Sequence, residues 1–280
     1  MTTKPELRDA GPAPKVFTPA EGQIVNLATA AIPFVMRLGS GGFNAGYTVG
    51  FVEDDGGYAV ARSGGKKLRE SSLVGSFKRP VLNMELYEFE GCPFCKKVRE
   101  AISILDLDVM VYPTPKNGAT WRPKAARIGG KAQFPYLVDP NTSRSMYESD
   151  DIITYLFNEY GDGKVPLGLR LGPLTMLTCA LSGVARGGAG NTARPSKQPE
   201  LPLVFWAYEL SPFVKVVREV LCELELPYLQ KTAARGSPKR QELFAKRGAF
   251  QVPYLEDPNT GVYLFESTAI IKYINDTYAA

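Results

Sequence analysis

Alternating apolar and polar residues, followed by apolar residues at helical spacing, mark the middle of this chain. Leu86 to Phe89 alternates like a half-buried strand, and the apolar positions from Val98 to Leu105 have the three- and four-residue spacing of a helix. Extending this pattern predicts an α/β unit of order β-α-β-α-β-β-α. The predicted strands lie near 84–89, 108–112, 134–138 and 144–147, and the predicted helices near 93–105, 121–128 and 148–159.

The same pattern occurs a second time along the chain. Three stretches correspond in order: residues 86–100 with 205–219, 134–142 with 252–260, and 147–153 with 265–271. Two tandem copies of one domain explain this correspondence, which contains a single one-residue slip. The predicted organisation is an N-terminal extension (1–82), a first module (83–160), a linker with an apolar helix (161–202) and a second module (203–280).

Two uncharged apolar segments lie outside the copies, and glycines follow each of them. The first has its core at Ile24 to Met36, and the second is Leu171 to Val184. A transmembrane helix needs about 20 consecutive apolar residues, and Arg37 interrupts the first segment too early. We expect two short helices that pack together and dock the modules, with peripheral membrane contact as the alternative for the first.

The rest of the N-terminal extension is polar. Residues 1–22 contain four prolines and acidic residues, so we expect extended chain that is neither a secretory signal nor a clear transit peptide. Residues 53–82 are rich in glycine and charge, so we expect a loop there.

Composition narrows the chemistry that the chain can perform. The 280 residues are 44% hydrophobic and 22% charged, which is typical of a globular protein of about two domains. The net charge of +4 is too weak to indicate nucleic-acid binding. The absence of histidine excludes catalytic pairs that need this residue. Four cysteines in a chain of this size do not form a disulfide framework, so they favour a reducing compartment. Thiols, carboxylates or backbone groups must carry the chemistry.

The strongest chemical signal is Cys92-Pro93-Phe94-Cys95, on the turn between the first predicted strand and helix. The first turn of a helix has unpaired N–H groups and a positive dipole end, which favour a thiolate. Cys92 is the predicted nucleophile and Cys95 the predicted resolving thiol. Half of a zinc site and a static disulfide are alternatives, but structural zinc needs four ligands and the other two cysteines are isolated. This spacing beside a strand and helix favours redox chemistry.

Several motifs of the first copy carry a family resemblance. The Cys-Pro-Phe-Cys turn, Pro135 entering the third strand and Glu148-Ser149 opening the last helix resemble the thioredoxin-fold module of glutaredoxins and glutathione-transferase N-terminal domains. The resemblance covers residues 84–160 and 203–279. The whole layout is similar to tandem glutaredoxin-like proteins of plant and algal plastids and cyanobacteria. The first copy also resembles membrane-associated prostaglandin E synthases of type 2.

The resemblance implies glutathione as cofactor and assigns residues to it. Pro135 and Pro253 would follow cis peptide bonds that turn the preceding backbone toward the cysteinyl part of glutathione. Glu148 and Ser149 would hold the γ-glutamyl group through its ammonium and carboxylate. The implied site residues are Phe94, Phe134, Pro135, Glu148 and Ser149 in the first module and Ser211, Val252, Pro253, Glu266 and Ser267 in the second, with Lys124 and Arg127 as candidates for the other carboxylate of glutathione.

Two departures limit what the resemblance implies. A conjugating glutathione transferase has a large helical domain after this module, whereas only residues 161–202 follow the first copy, so a standard conjugating activity is not expected. Ser211 and Val214 replace the two cysteines in the second copy, which is therefore predicted to be a binding or structural module. Cys222 is predicted to be a small buried hydrophobe.

The resulting hypothesis is a glutathione-linked thiol–disulfide oxidoreductase in which Cys92 attacks and Cys95 resolves. Its partners would be glutathione and a disulfide-bearing protein or small molecule, with neither metal nor nucleic acid. One alternative is a non-enzymatic adaptor that binds glutathione, an iron–sulfur cluster or haem. Another is an isomerase like the prostaglandin synthases, which needs an apolar groove beside Cys92. Resemblance alone indicates the plastid stroma or the cyanobacterial cytoplasm, with or without membrane association.

Overall fold

The N-terminal extension contains one helix and a small sheet. A computed structural model describes residues 7–15 and 18–280, so residues 1–6, 16 and 17 of the predicted extended stretch lie outside the described residues. The elements of the extension are β1 (Arg8–Asp9), α1 (Ile24–Met36), β2 (Thr48–Glu53), β3 (Ala61–Ser63), β4 (Lys66–Ser71) and a 3-10 turn (Val74–Ser76).

The prediction of a loop at residues 53–82 is wrong. β2, β4 and β3 form an antiparallel sheet in that order. Most side chains of these strands are exposed, so the sequence contains no alternating apolar face. Polar contacts hold the sheet instead. The buried Glu70 carboxylate accepts hydrogen bonds from the Tyr47 hydroxyl at 3.0 Å, the Tyr58 hydroxyl at 3.2 Å and Arg235 at 3.0 Å.

Each copy folds in the predicted order β-α-β-α-β-β-α. The first module consists of β5 (Met84–Glu88), α2 (Pro93–Ile104), β6 (Val109–Pro113), α3 (Trp121–Gly129), β7 (Tyr136–Asp139), β8 (Arg144–Met146) and α4 (Ser149–Tyr160). The linker contains α5 (Leu167–Arg170) and α6 (Pro173–Val184). The second module consists of β9 (Leu203–Ala207), α7 (Pro212–Glu223), β10 (Tyr228–Thr232), α8 (Lys239–Arg247), β11 (Tyr254–Asp257), β12 (Val262–Phe265) and α9 (Ser267–Tyr278).

A single nine-stranded sheet runs through both modules in the order β1-β12-β11-β9-β10-β6-β5-β7-β8. In each module the first two strands are parallel, and the third strand is antiparallel to both the first and the fourth strand. The modules join where β6 and β10 pair antiparallel, with Met110 opposite Leu229 at the centre. Because β6 and β10 correspond to each other in the repeat, a pseudo-two-fold axis passes through this pair.

Helices cover both faces of the sheet. The main hydrophobic core lies under α2, α4, α7 and α9 and continues across the module boundary. It includes Leu86, Val98 and Ile152 of the first module and Phe205, Val217 and Ile270 of the second. Smaller clusters lie under α3 and α8 on the other face, around Ala125 and Leu243. The core therefore fixes the helix that begins at the predicted nucleophile.

A buried charge cluster follows the same pseudo-symmetry between α2 and α7. It consists of Glu90, Lys96, Arg99, Glu209, Lys215 and Arg218. The Lys96 ammonium lies 2.8 Å from the Glu209 carboxylate, and the corresponding Lys215 lies 2.7 Å from Glu90. Both arginines contact both carboxylates. Each buried charge thus meets opposite charges, which offsets the cost of removing it from water.

The two apolar segments form α1 and α6, which pack against each other as predicted. α1 also lies against α7 and α6 against α2, so the pair bridges the modules. At the end of each segment an arginine binds a module helix: Arg37 lies 2.8 Å from Glu100, and Arg186 lies 2.6 Å from Glu219. Arg37 therefore anchors the segment that it interrupts. Over residues 7–15 and 18–280, no helix is long and apolar enough to cross a bilayer.

Candidate functional site

Cys92 ends the turn from β5 into α2, and its side chain caps the helix. Pro93 is the first helical residue, where its missing N–H costs no hydrogen bond. The Cys92 sulfur accepts a hydrogen bond from the backbone N–H of Cys95 at 3.2 Å and a second one from the Cys95 thiol. Both side chains are thiols, and Cys92 is 4% exposed. The two sulfurs thus lie within one helical turn.

The two thiols differ in acidity. The hydrogen bond from the Cys95 thiol lowers the pKa of Cys92 below the ordinary cysteine value; burial opposes this, and the Cys95 N–H reinforces it. Burial raises the pKa of Cys95 well above its ordinary value, and the hydrogen bond to Cys92 raises it further. Cys92 therefore ionises first while Cys95 keeps its proton. The first attack on a disulfide would therefore come from Cys92.

The loop before β7 faces the Cys92 turn. Its Phe134–Pro135 peptide bond is cis, and the Phe134 carbonyl oxygen lies 3.9 Å from the Cys92 sulfur. The Phe134 ring packs against Arg122, whose guanidinium carbon lies 4.8 Å from the ring centre. Phe94 is 47% exposed at the start of α2. The structure therefore brings the predicted nucleophile next to the backbone predicted to face the cysteinyl part of glutathione.

Glu148 and Ser149 lie at the start of α4. Glu148 has a φ of 62°, a region uncommon for residues other than glycine, and its side chain is exposed. Its Oε1 accepts a hydrogen bond from the Gln133 side-chain N–H at 2.6 Å. Ser149 is buried at the first helical position. Gln133 therefore ties the start of α4 to the loop that contains the cis peptide bond.

The second module repeats the turn with serine in place of the nucleophile. Ser211 caps α7, and its hydroxyl oxygen accepts the Val214 N–H at 3.3 Å. The Val252–Pro253 peptide bond is cis. Cys222 is buried as predicted, and its sulfur accepts the Glu90 N–H at 3.4 Å. Because a hydroxyl forms no disulfide, the turn at Ser211 cannot carry disulfide exchange.

The start of α9 in the second module matches the start of α4. Glu266 has a φ of 67°, and its Oε1 accepts a hydrogen bond from the Gln251 side-chain N–H at 2.7 Å. Ser267 is the first residue of the helix and is buried. The geometry that surrounds the predicted γ-glutamyl position is thus present in both modules.

The model for the glutathione S-transferase N-terminal domain matches this chain twice, over residues 86–164 and 205–280. Together the two matches cover more than half of the 280 residues. This chain belongs to the glutathione S-transferase N-terminal domain family. The two tandem copies predicted from the repeat, and the thioredoxin fold implied by the resemblance, are confirmed by these matches and by the sheet.

Two solved structures of a glutathione transferase from Bombyx mori, one of them a complex with GTT, are similar to part of this family member. They share 28% and 29% sequence identity with it over 30% of its length, each with a TM-score of 0.27. The match covers 38% and 39% of those chains, so this chain spans about two fifths of their length. No curated protein matches this chain.

Two side chains at the site of this glutathione S-transferase N-terminal domain protein were not predicted from the sequence. Gln133 binds Glu148, and Arg122 packs on the ring of Phe134. The repeat contains a signal for both, since the matching positions of the second copy also hold glutamine and arginine. A comparison of the copies position by position would have identified them.

The two candidates for carboxylate binding, Lys124 and Arg127, lie on α3 as predicted. The Lys124 ammonium lies 4.7 Å from the centre of the Tyr112 ring and 5.1 Å from that of Trp121, so aromatic faces hold it. Arg127 is exposed in the last turn of the helix. Arg122, near the start of the same helix, reaches the loop before β7 through the ring of Phe134.

Proposed function

We propose that the first module catalyses glutathione-linked thiol–disulfide exchange, with Cys92 as the nucleophile and Cys95 as the resolving thiol. The division of acidity within one helical turn carries this proposal: hydrogen bonds from Cys95 lower the pKa of Cys92, and burial raises the pKa of Cys95. The thiolate is the attacking species in disulfide exchange. Membership of the glutathione S-transferase N-terminal domain family supports glutathione as the reducing thiol.

The exchange proceeds by successive displacements at sulfur. The Cys92 thiolate attacks one sulfur of the substrate disulfide, a mixed disulfide with Cys92 forms, and the other substrate sulfur leaves as a thiolate that takes a proton from water. When the captured half is glutathione, the thiolate of a second glutathione attacks its sulfur. Oxidised glutathione then leaves, and the Cys92 thiolate is restored.

Cys95 provides a second route when the captured half is a protein thiol. After losing its proton to water, Cys95 attacks the Cys92 sulfur, and the substrate sulfur leaves as a thiolate. The Cys92–Cys95 disulfide that forms is reduced by two molecules of glutathione, which restore both thiols and leave as one oxidised glutathione. The raised pKa of Cys95 makes its deprotonation the demanding step of this route.

The surroundings of Cys92 supply groups for each part of glutathione. The backbone of Phe134, next to the cis peptide bond, offers strand-like pairing to the cysteinyl residue. The exposed Glu148 carboxylate attracts the γ-glutamyl ammonium, and the helix start at Ser149 attracts the γ-glutamyl carboxylate. Arg122, stacked on Phe134, supplies a cation for the glycyl carboxylate. This placement puts the glutathione sulfur beside Cys92.

Alkylation of the thiols tests the proposal. The rate of Cys92 modification by iodoacetamide is measured against pH by mass spectrometry, with and without S-methylglutathione, which has the glutathione backbone but no free thiol to consume the reagent. We expect the midpoint for Cys92 to lie below the free-cysteine value of about 8.5, because its pKa is lowered. Cys95 should stay unmodified through this range, and S-methylglutathione should slow the modification of Cys92.

Two results of this experiment would contradict the proposal. A Cys92 midpoint at or above that of free cysteine would mean that the turn does not activate the thiol. Lack of protection by S-methylglutathione would mean that no glutathione backbone binds beside Cys92. Alkylation of the Cys92→Ser variant, followed at the other cysteines, provides the background.

The isomerase alternative gains no support from the apolar cavity that the described residues form at α2. It requires an apolar groove beside Cys92. An apolar cavity of about 660 Å³ is lined by Ile104, Leu171 and Leu174, so it lies at the opposite end of α2 from Cys92. A ligand in this cavity would not reach the thiol.

A further inference from the structure

The N-terminal strap, residues 8–15, lies along the outer edge of the second module. Its strand β1 pairs parallel with β12. The Arg8 N–H donates to the Gly261 carbonyl at 2.9 Å, and the Ala10 N–H donates to the Tyr263 carbonyl at 3.2 Å. In the first module the corresponding edge strand, β8, forms the other end of the sheet, and no strand of residues 7–15 or 18–280 covers it.

The strap ends on the carboxylate of Glu266. The Lys15 backbone N–H donates to its Oε1 at 2.7 Å, the same oxygen that accepts the hydrogen bond from Gln251. In the first module the matching Glu148 accepts a hydrogen bond from Gln133. Within the described part of the chain, no backbone N–H donates to the Glu148 carboxylate. In the second module a backbone N–H therefore occupies a position at the glutamate carboxylate that stays open in the first module.

The inserted sheet β2-β4-β3 and its connections cover another side of the second module's site. Arg240, which corresponds to Arg122, donates to the Tyr58 hydroxyl at 2.7 Å. The Tyr58 ring packs edge-on against Phe250, with ring centres 5.1 Å apart, just before the loop with the cis peptide bond. Arg240 is consequently 4% exposed, whereas Arg122 is only half-buried. The chain's own N-terminal extension closes this site on two sides.

We propose that the N-terminal strap is a resident peptide ligand of the second module and keeps that module from binding glutathione. The strap places an N–H donor on Glu266, where the first module offers Glu148 to the γ-glutamyl ammonium of glutathione. The strap N–H and the Gln251 side chain both bind Oε1 of Glu266, and Tyr58 covers Arg240 and Phe250, so the strap and the inserted sheet occupy positions that glutathione would need. The inference rests on the proposed function only for the identity of the competing ligand.

A pair of variants separates the strap backbone from its side chains. Over the described residues 8–15, the N–H groups of Arg8, Ala10 and Lys15 bind the second module, and the A10P/K15P variant removes two of them. The A10S/K15A variant changes the same side chains and keeps both N–H groups. Binding of reduced glutathione to the full chain is measured by isothermal titration calorimetry. We expect the proline variant to bind one more glutathione per chain than its control.

The difference between the two variants is independent of the first module. If the first module binds glutathione, the control binds one molecule and the proline variant two. If the proposed function fails and the first module binds none, the counts are zero and one. Equal counts in the two variants overturn the strap proposal, whatever the first module does.

Hydrogen exchange tests the same contact without proline. In the Glu266→Ala variant we expect the Lys15 amide to exchange about tenfold faster or more, because a hydrogen bond to a charged group is lost. Glu148→Ala, the matching change in the first module, should leave that rate unchanged. Free-peptide exchange at Lys15 in the unmodified protein, or an unchanged rate in the Glu266→Ala variant, would overturn the proposal.

Discussion

Replacing Cys92 with serine is expected to reduce glutathione-dependent disulfide reduction to the uncatalysed rate, a loss of about a thousandfold. A serine at the start of α2 can still accept the N–H of the first turn, as Ser211 does in the second module, but its hydroxyl cannot form a disulfide. The measurement is the reduction of hydroxyethyl disulfide by glutathione, coupled to glutathione reductase. A Cys92→Ser variant that kept about a tenth of the rate would refute the role of Cys92.

Two further cysteine variants serve as controls for this experiment. Cys222→Ser should leave the rate unchanged, because burial raises the pKa of that thiol well above its ordinary value and the residue lies in the second module. Cys95→Ser should keep the reduction of glutathione mixed disulfides, which needs only Cys92. It should lose the reduction of protein disulfides that depends on the resolving thiol.

The pH dependence of this activity follows from the lowered pKa of Cys92. The rate should fall as the pH drops through that pKa, because protonation removes the nucleophile, and it should level off above it. The hydrogen bond from the Cys95 thiol is the main cause of the lowering. In the Cys95→Ala variant the rate should therefore fall at a higher pH than in the Cys95→Ser variant, because serine keeps an O–H donor. Identical profiles would show that Cys95 does not set this acidity.

Replacing Glu209 with alanine should lower the free energy of unfolding by about 3–5 kcal/mol, because the buried cluster then holds more positive charge than its remaining carboxylates balance. Lys96 and Arg99 of the first module both lie 2.8 Å from Glu209, and Arg218 of the second module contacts it as well. Chemical denaturation measures the effect. The exposed pair of Lys272 and Asp276 provides the control, since Asp276→Ala should change stability by about 0.5 kcal/mol or less.

The effect of Glu209 should also depend on pH. Burial opposes ionisation of Glu209, but Arg99, Lys96 and Arg218 hold its pKa well below the usual range. A carboxylate with a lowered folded-state pKa contributes its full stability above its unfolded pKa of about 4.3 and loses it as the pH falls through the folded pKa. The difference in the free energy of unfolding between the native protein and the Glu209→Ala variant should therefore become smaller in acid. A difference below about 1 kcal/mol at neutral pH would show that the charge cluster does not hold the modules together.

Much of each module could be predicted because independent local signals agree. Pro93 and Pro212 mark helix starts, the Asp-Pro-Asn-Thr turns separate the last two strands, and the repeat confirms both. The cis peptide bonds before Pro135 and Pro253 followed from the family resemblance. The proximity of Cys92 and Cys95 is also local, since Cys95 is three positions after Cys92 in the first turn of α2. These features need no information from distant parts of the chain.

The arrangement of the two modules could not be predicted in the same way. Apolar periodicity identifies β6 and β10 as strands, but their pairing uses backbone groups that every edge strand presents. The sequence shows Lys96 as a basic residue of α2, but it does not show its partner, because Glu209 lies 113 positions away. The strap on Glu266 is a backbone contact over 251 positions, and its sequence of prolines, small residues and the charged Arg8, Asp9 and Lys15 does not indicate that contact.

The contacts between the modules occur twice, with the roles exchanged: Lys96 binds Glu209 as Lys215 binds Glu90. This is the isologous pattern of a two-fold homodimer, in which each partner uses the same surface. Joined in one polypeptide, the halves are always present in equal number and need not stay identical. One half has two thiols where the other has Ser211 and Val214, and both contribute the same strand to the surface that joins them. Because the two modules are covalently linked and cannot separate, one can carry the thiols while the other supports its fold.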